Sequence, residues 1–294
     1  MSDSRLKVWI LATRPKTLTV AIAPIIVASA MAWEDAGFHL GAFIVCILCA
    51  VLITIGTNFC NDYSDYIRGA DTEHRRGPTR VTQAGLIHPH HLQSATIVVF
   101  LMATLLGYYL IDRGGISILI IGIASILSGI LYTAGPWPYG YKGYGDIFVL
   151  IFFGPVAVGG AYYVQSLSLP SYVLIAGFAT GLLASAVLVI NNVRDIEEDR
   201  IADKKTLVVR FGRKFGVCLW IAYVTVATCI PLVLIGIKGE HVWAGLSALI
   251  LLPAVWIVYK LMKEKEASKL NPLLGQTAGL LLLHSIIFSI GWIV

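Results

Sequence analysis

Two stretches of the chain hold most of the side chains that can do chemistry. The first reads Asn58-Phe-Cys-Asn61-Asp62-Tyr-Ser-Asp65-Tyr-Ile-Arg68-Gly-Ala-Asp71, the second Asn191-Asn192-Val-Arg194-Asp195-Ile-Glu-Glu-Asp199-Arg-Ile-Ala-Asp203. On a helix, Asn58, Asp62 and Asp65 share one face, and so do Asn192, Asp195, Asp199 and Asp203. With Glu73, Glu197 and Glu198, these two segments hold nine of the chain's 17 acids. Carboxylates so close together repel one another and, near a membrane, also lose hydration, so they call for a cation. Mg²⁺ suits them, because it takes oxygen ligands and bridges carboxylates to phosphate oxygens. Bases suited to phosphate flank both ladders: Arg75, Arg76 and Arg80 after the first, and Arg194, Lys204 and Lys205 around the second. The expected ligand is a metal-bound polyphosphate. A solvated mixed-charge loop would explain one such segment, but two matched ladders in an acid-poor chain argue against it.

A third segment, Gly135-Pro-Trp-Pro-Tyr139-Gly-Tyr-Lys142-Gly-Tyr-Gly-Asp146, is rich in turn-forming residues. Lys142 is placed to reach a diphosphate, and Asp146 to orient it or act as a base. Behind these polar segments the sequence is apolar, which suits a substrate with a charged head and a hydrocarbon tail, such as a polyprenyl diphosphate. Breaking its allylic C–O bond puts negative charge on the diphosphate, where Mg²⁺, Arg and Lys stabilise it. The allyl cation left behind is stabilised by aromatic faces, with Tyr63, Tyr66, Tyr132, Tyr139, Tyr141 and Tyr144 as candidates among what is otherwise an interfacial aromatic belt. His74, His88, His90 and His91 lack a ligand spacing and are read as surface residues.

The elements that position these segments are transmembrane helices. Of 294 residues, 57% are apolar and only 13% charged, against roughly 25% charged in an ordinary soluble domain, and the mean hydropathy is +0.79. Nine apolar runs are expected to span a membrane: 18–33, 40–59, 94–111, 115–134, 146–165, 172–190, 215–237, 242–261 and 273–293. The expected fold is all-α, a single polytopic bundle over residues 1–294, with Asp-rich loops at about 58–93 and 191–214. Twenty of the 22 bases fall on one side, leaving Arg113 and Lys238 on the other. That bias predicts a cytoplasmic N-terminus and cytoplasmic ladder loops in the cell (inner) membrane. The net charge of +5 is thus an orientation signal, and no nucleic-acid partner is expected. The five cysteines are read as small hydrophobes.

Asn61-Asp-Tyr-Ser-Asp65, Arg76-Gly-Pro-Thr-Arg80-Val-Thr-Gln83, Asn191-Asn-Val-Arg-Asp195 and Lys205-Thr-Leu-Val-Val-Arg-Phe-Gly212 resemble the UbiA superfamily of intramembrane aromatic prenyltransferases. Within it they are most similar to the branch that prenylates 1,4-dihydroxy-2-naphthoate in menaquinone synthesis, as are Gly154-Pro-Val-Ala-Val and Tyr162-Tyr-Val-Gln165. The resemblance implies prenyl transfer from a polyprenyl diphosphate to an aromatic quinone precursor, with loss of the ring carboxylate as CO₂. It also implies Mg²⁺ held by Asn61, Asp62 and Asp65 of the first motif and Asn192, Asp195 and Asp199 of the second. Asn58 and the flanking bases would serve the diphosphate. Arg14, in Arg14-Pro-Lys-Thr-Leu, would approach the substrate. Several relatives carry a third Asp where this chain has Gly69; Asp71 lies two residues further on. Prenylation of 4-hydroxybenzoate is the alternative within the superfamily. An ion-coupled transporter is the alternative from another class, but its acids belong near the bilayer midplane, where these spans have almost none.

Overall fold

The computed structural model describes residues 5–70, 77 and 79–294. Asp71, Glu73, His74, Arg75 and Arg76 lie outside the described residues. Every regular element among the described residues is helical. Short α1 (Arg5–Thr13) leads into α2 (Pro15–Glu34), α3 (Leu40–Ile67), α4 (Pro89–Leu131), α5 (Gly145–Ser166) and α6 (Ser171–Arg194). Two short helices, α7 (Ile196–Ile201) and α8 (Leu207–Phe211), precede α9 (Arg213–Lys238), α10 (Val242–Lys263) and α11 (Ala267–Ile293). Eight of these are long and apolar enough to cross a membrane among the described residues, where the sequence reading expects nine. The difference lies in α4, which contains two of the expected spans.

At 43 residues, α4 would be about 65 Å long if straight, twice the ~30 Å of hydrocarbon. It is not straight, because Gly115 leaves helical geometry at φ 69°, ψ −155°, a conformation essentially reserved for glycine. Phe100 and Gly129 would be about 43 Å apart in a continuous helix, yet they abut consecutive residues of α3, Gly56 and Thr57. The chain therefore reverses at Gly115, and both arms of α4 run along α3. Accordingly, Leu92 at the start of α4 clusters with Phe59, and Thr133 just past its end hydrogen-bonds Asn61.

The first ladder is a continuation of its helix, as expected: α3 runs through Asn58, Asp62 and Asp65 to Ile67. The second is interrupted. Asp195 caps α6 with φ −95°, ψ 13° and α7 starts after it, while Asp203 follows α7 in a left-handed conformation. The expectation that Asn192 through Asp203 share one continuous face does not hold, because the backbone turns where Arg194 folds back onto Asp195.

Helices α2 and α6 are the most enclosed spans. The others present large apolar side chains outward, including Leu105, Tyr108, Leu252 and Val255, a surface suited to lipid. Helix α5 bends through a π-helical segment, Phe152–Val156, whose Pro155 lacks the N–H that a regular helix needs. Arg113 and Lys238, the two outlying bases, lie at the end opposite the ladders: Arg113 donates to the Val164 and Gln165 carbonyls, and Lys238 sits over the Tyr172 ring.

Candidate active site

A cavity of about 480 Å³ opens between α2, α3, α4, α5 and α6. Its lining is polar at the ladder end, with Arg14, Asn61, Asp65, Arg80, Asp195 and Lys204 among its residues, and apolar below, with Ile25, Cys49, Ile121 and Phe152.

Asp65 is the hub of the polar end and is 1% exposed. Its Oδ2 accepts from Arg80 Nη2 at 3.1 Å and from Lys204 Nζ at 3.2 Å, and its Oδ1 accepts from the Tyr141 hydroxyl at 2.7 Å. Lys204 also lies over the Tyr141 ring, 4.6 Å from its centroid. One carboxylate thus joins four segments: α3, the Arg80 turn, the 135–144 loop and the loop after α7. A buried charge needs such full compensation.

Asp62, one turn earlier, has a different task in this structure. Its two oxygens accept the backbone N–H groups of Val81 and Thr82, at 3.1 and 3.2 Å, and so hold the Arg80 turn. Asn58 donates to the Thr13 carbonyl at 3.0 Å and to the Thr17 hydroxyl at 3.3 Å, fixing the approach to α2. Asn61 accepts from the Thr133 hydroxyl at 2.7 Å.

In the second ladder, Arg194 grips Asp195 with two parallel bonds, Nε to Oδ1 at 2.6 Å and Nη2 to Oδ2 at 2.7 Å, the strong fork geometry of an arginine–carboxylate pair. The same guanidinium reaches the side-chain oxygens of Asn191 and Asn271. Asn192, Asp195 and Asp199 line the cavity opposite Asn61 and Asp65, so the two ladders do meet.

The remaining expected site residues fall outside the lining. Lys205 is exposed and pairs with Asp203 at 3.6 Å. Lys142 contributes its carbonyl, which accepts from Arg210. Asp146 is buried behind the wall, its Oδ1 at 3.4 Å from the Tyr223 hydroxyl. Two residues that the sequence reading did not single out strap the 135–144 loop: Arg68 donates to the Thr133 and Gly135 carbonyls, and Arg210 to those of Lys142 and Lys205. For Arg210 a signal existed, its place within Lys205-Thr-Leu-Val-Val-Arg-Phe-Gly212.

Just below the polar end the wall turns aromatic. Tyr139 stacks on Phe148 with centroids 3.9 Å apart, and its hydroxyl meets Ser128. Burial pushes the Tyr139 hydroxyl up to about 12, with the Ser128 hydrogen bond pulling the other way. Tyr139 is therefore neutral at ordinary pH and offers a π face.

Among the described residues, no three His, Cys, Asp or Glu side chains converge closely enough to hold an ion together; Asp65 and Asp195 are each closed by basic partners instead. The donor chemistry nevertheless fits a hard divalent ion, since three carboxylates and four asparagine amides line one cavity end.

The UbiA prenyltransferase family model matches residues 21–286. The chain is 37% identical to a 1,4-dihydroxy-2-naphthoate octaprenyltransferase of Haemophilus influenzae, over all of this chain and 98% of the relative. Among solved structures, it is similar to a UbiA homolog from Archaeoglobus fulgidus with a TM-score of 0.68 at 14% identity, covering 97% of this chain and 99% of that one. The same homolog bound to DMAPP and Mg²⁺ gives a TM-score of 0.61 at 16% identity, over 96% and 99% of the two chains. With the family model covering the bundle from α2 to α11, the chain belongs to the UbiA prenyltransferase family.

Proposed function

We propose that the protein transfers a prenyl group from a polyprenyl diphosphate to 1,4-dihydroxy-2-naphthoate, releasing diphosphate and CO₂ and giving demethylmenaquinone at the quinol level. The observation that carries this reading is the two-part cavity, with acids and bases gathered at one end and apolar or aromatic walls elsewhere. The naphthoate acceptor is supported by the relative's activity.

Arg14, Arg80 and Lys204 are assigned to the diphosphate, because all three line the polar end. Of the sequence-predicted metal ligands, Asn61, Asp65, Asn192, Asp195 and Asp199 are assigned to the ion, and Asp62 to holding the Arg80 turn. Bound there, Mg²⁺ would supply positive charge to the departing diphosphate. The allylic C–O bond breaks with its electron pair leaving on the diphosphate. The ring carbon bearing the carboxylate forms the new C–C bond, and its bond to CO₂ breaks to return an electron pair to the ring. Tyr139 and Phe148 offer the allyl cation a neutral aromatic face. The ladder end faces the cytoplasm on this reading, which the distribution of bases supports.

Membranes containing the protein, incubated with 1,4-dihydroxy-2-naphthoate and a polyprenyl diphosphate, should yield the prenylated product and CO₂ in a Mg²⁺-dependent manner. Turnover of 4-hydroxybenzoate alone would move the acceptor assignment. Flux of a solute across proteoliposomes without diphosphate consumption would overturn the enzyme reading.

A further inference from the structure

The lower part of the cavity has a measurable depth. Along α3 its lining runs from Asn61 to Cys46, and along the second arm of α4 from Thr133 to Ile118. Each is fifteen residues, about 22 Å at ~1.5 Å per residue. Because Asn61 and Thr133 are hydrogen-bonded, the two walls start level and end level. There the cavity closes on Leu110, Ile118 and Val164, packed around the reversal of α4. All three floor side chains are buried, and Arg113 seals the floor from the far side by donating to the Val164 carbonyl.

Above that floor, three glycines line the cavity at one height. Gly107 faces Cys49, the only residue that a Cβ there would meet, at 4.0 Å. Gly122 is its hairpin partner, since Phe100 and Gly129 mark equal heights seven residues away on the two arms. A Cβ on Gly122 would have nothing within 4 Å. Gly160 on α5 abuts Ile121, the neighbour of Gly122. None of the three needs a left-handed backbone, so their lack of a side chain is explained by the space and not by the fold. Counted from Asn61 and Thr133, this level lies about 16–18 Å below the polar end. Thr104 and Ile123, just above it, line the cavity and are also exposed, so the shaft has a side exit toward lipid at this level.

We propose that Gly107, Gly122 and Gly160 form a collar through which the donor's tail passes to the floor at Leu110, Ile118 and Val164, and that collar and floor together set the longest prenyl chain accepted. The proposal rests on the reading of the cavity as a prenyl diphosphate site. A geranyl tail ends above the collar, whereas longer chains must thread it. A Cβ at Gly107 or Gly122 meets nothing closer than 4.0 Å, so a side chain there extends into the shaft and narrows it.

The test compares the wild type with Gly122→Phe, Gly107→Phe and the smaller Gly122→Ala, using geranyl, farnesyl, geranylgeranyl and longer all-trans diphosphates with the naphthoate. Both Phe variants should keep geranyl turnover within about twofold and lose about tenfold or more with the longer donors, in keeping with what single hydrophobic-pocket changes discriminate. Gly122→Ala should lie between, and Ile118→Ala should raise turnover of the longest donors. Thermal stabilisation by unreactive prenyl thiolodiphosphates, measured without acceptor, should show the same cut-off. That arm separates the two ideas: a truncated ladder of binding without naphthoate product removes the acceptor assignment and keeps the collar. Equal losses with short and long donors, or unchanged acceptance of long donors through the side exit, would overturn the collar.

Discussion

The two acidic helix ends differ in how their charge is balanced. In the first, Asp65 draws its partners from three other segments, 15, 76 and 139 residues away in sequence. In the second, Asp195 is held by its immediate neighbour Arg194, which in turn leans on Asn191 and Asn271. The first ladder ties the loops of the polar end together, and the second carries its own counter-charge. A carboxylate that organises distant segments has a structural task beyond any ligand it binds.

The largest expected effect separates these roles. Asp65→Asn leaves the buried Arg80 and Lys204 without their shared counter-charge, and breaking a buried ion pair from one side costs about 3–5 kcal/mol. Asp195→Asn breaks a pair that is also buried, but leaves Arg194 the oxygens of Asn191 and Asn271, so its loss of stability should be smaller than that of Asp65→Asn. Both variants should lose turnover by about a hundredfold or more, as removal of preorganised charge stabilisation does. Thermal denaturation alongside turnover checks the pair; equal destabilisation would erase the distinction.

Metal addition sharpens the comparison at the next level of effect. Chelation with EDTA should abolish turnover and Mg²⁺ should restore it. Mg²⁺ with a prenyl thiolodiphosphate at about 100 times its Kd should add about 2.7 kcal/mol of apparent stability. In Asp195→Asn that gain should shrink although the fold is intact, which a purely structural Asp195 does not predict.

A smaller effect is expected at the straps of the 135–144 loop. Arg210→Lys loses the fork that holds two carbonyls, about 1 kcal/mol at this exposed position. Its consequence should be a raised KM for the donor with kcat nearly unchanged, because Tyr141 and hence Asp65 are held less firmly. The kinetics of purified protein in lipid nanodiscs read that split.

Much of this arrangement is legible in the sequence. Apolar runs locate the spans, the uneven placement of 22 bases orders their ends, and i, i+4, i+7 spacing puts Asn58, Asp62 and Asp65 on one helix. What is not legible depends on side-chain direction and on distant partners. Asp62 and Asp65 have the same type and share a face, yet one accepts backbone amides and the other gathers cations, because the Arg80 turn meets Asp62 with its Val81 and Thr82 N–H groups and Asp65 with the Arg80 side chain. The break at Asp195 is invisible to periodicity, since Asn192, Asp195 and Asp199 keep helical spacing across it. The reversal at Gly115 is legible only because a 43-residue apolar stretch is too long for one crossing.

The smallest expected effect comes from two adjacent lysines that the sequence treats alike. Lys204 is mostly buried against Asp65 and the Tyr141 ring, while Lys205 is exposed and pairs with an even more exposed Asp203. Solvent screening and side-chain entropy leave such a surface pair worth about 0–1 kcal/mol. Lys205→Ala should therefore leave stability and turnover within about twofold of the wild type. Lys204→Ala removes one of two cations on a buried carboxylate and a base at the cavity wall, so it should behave as a weaker version of Asp65→Asn. If Lys205→Ala proved the more damaging of the two, the diphosphate would have to be approached from the exposed side of this loop, and the polar end would extend beyond the cavity that Asp65 organises.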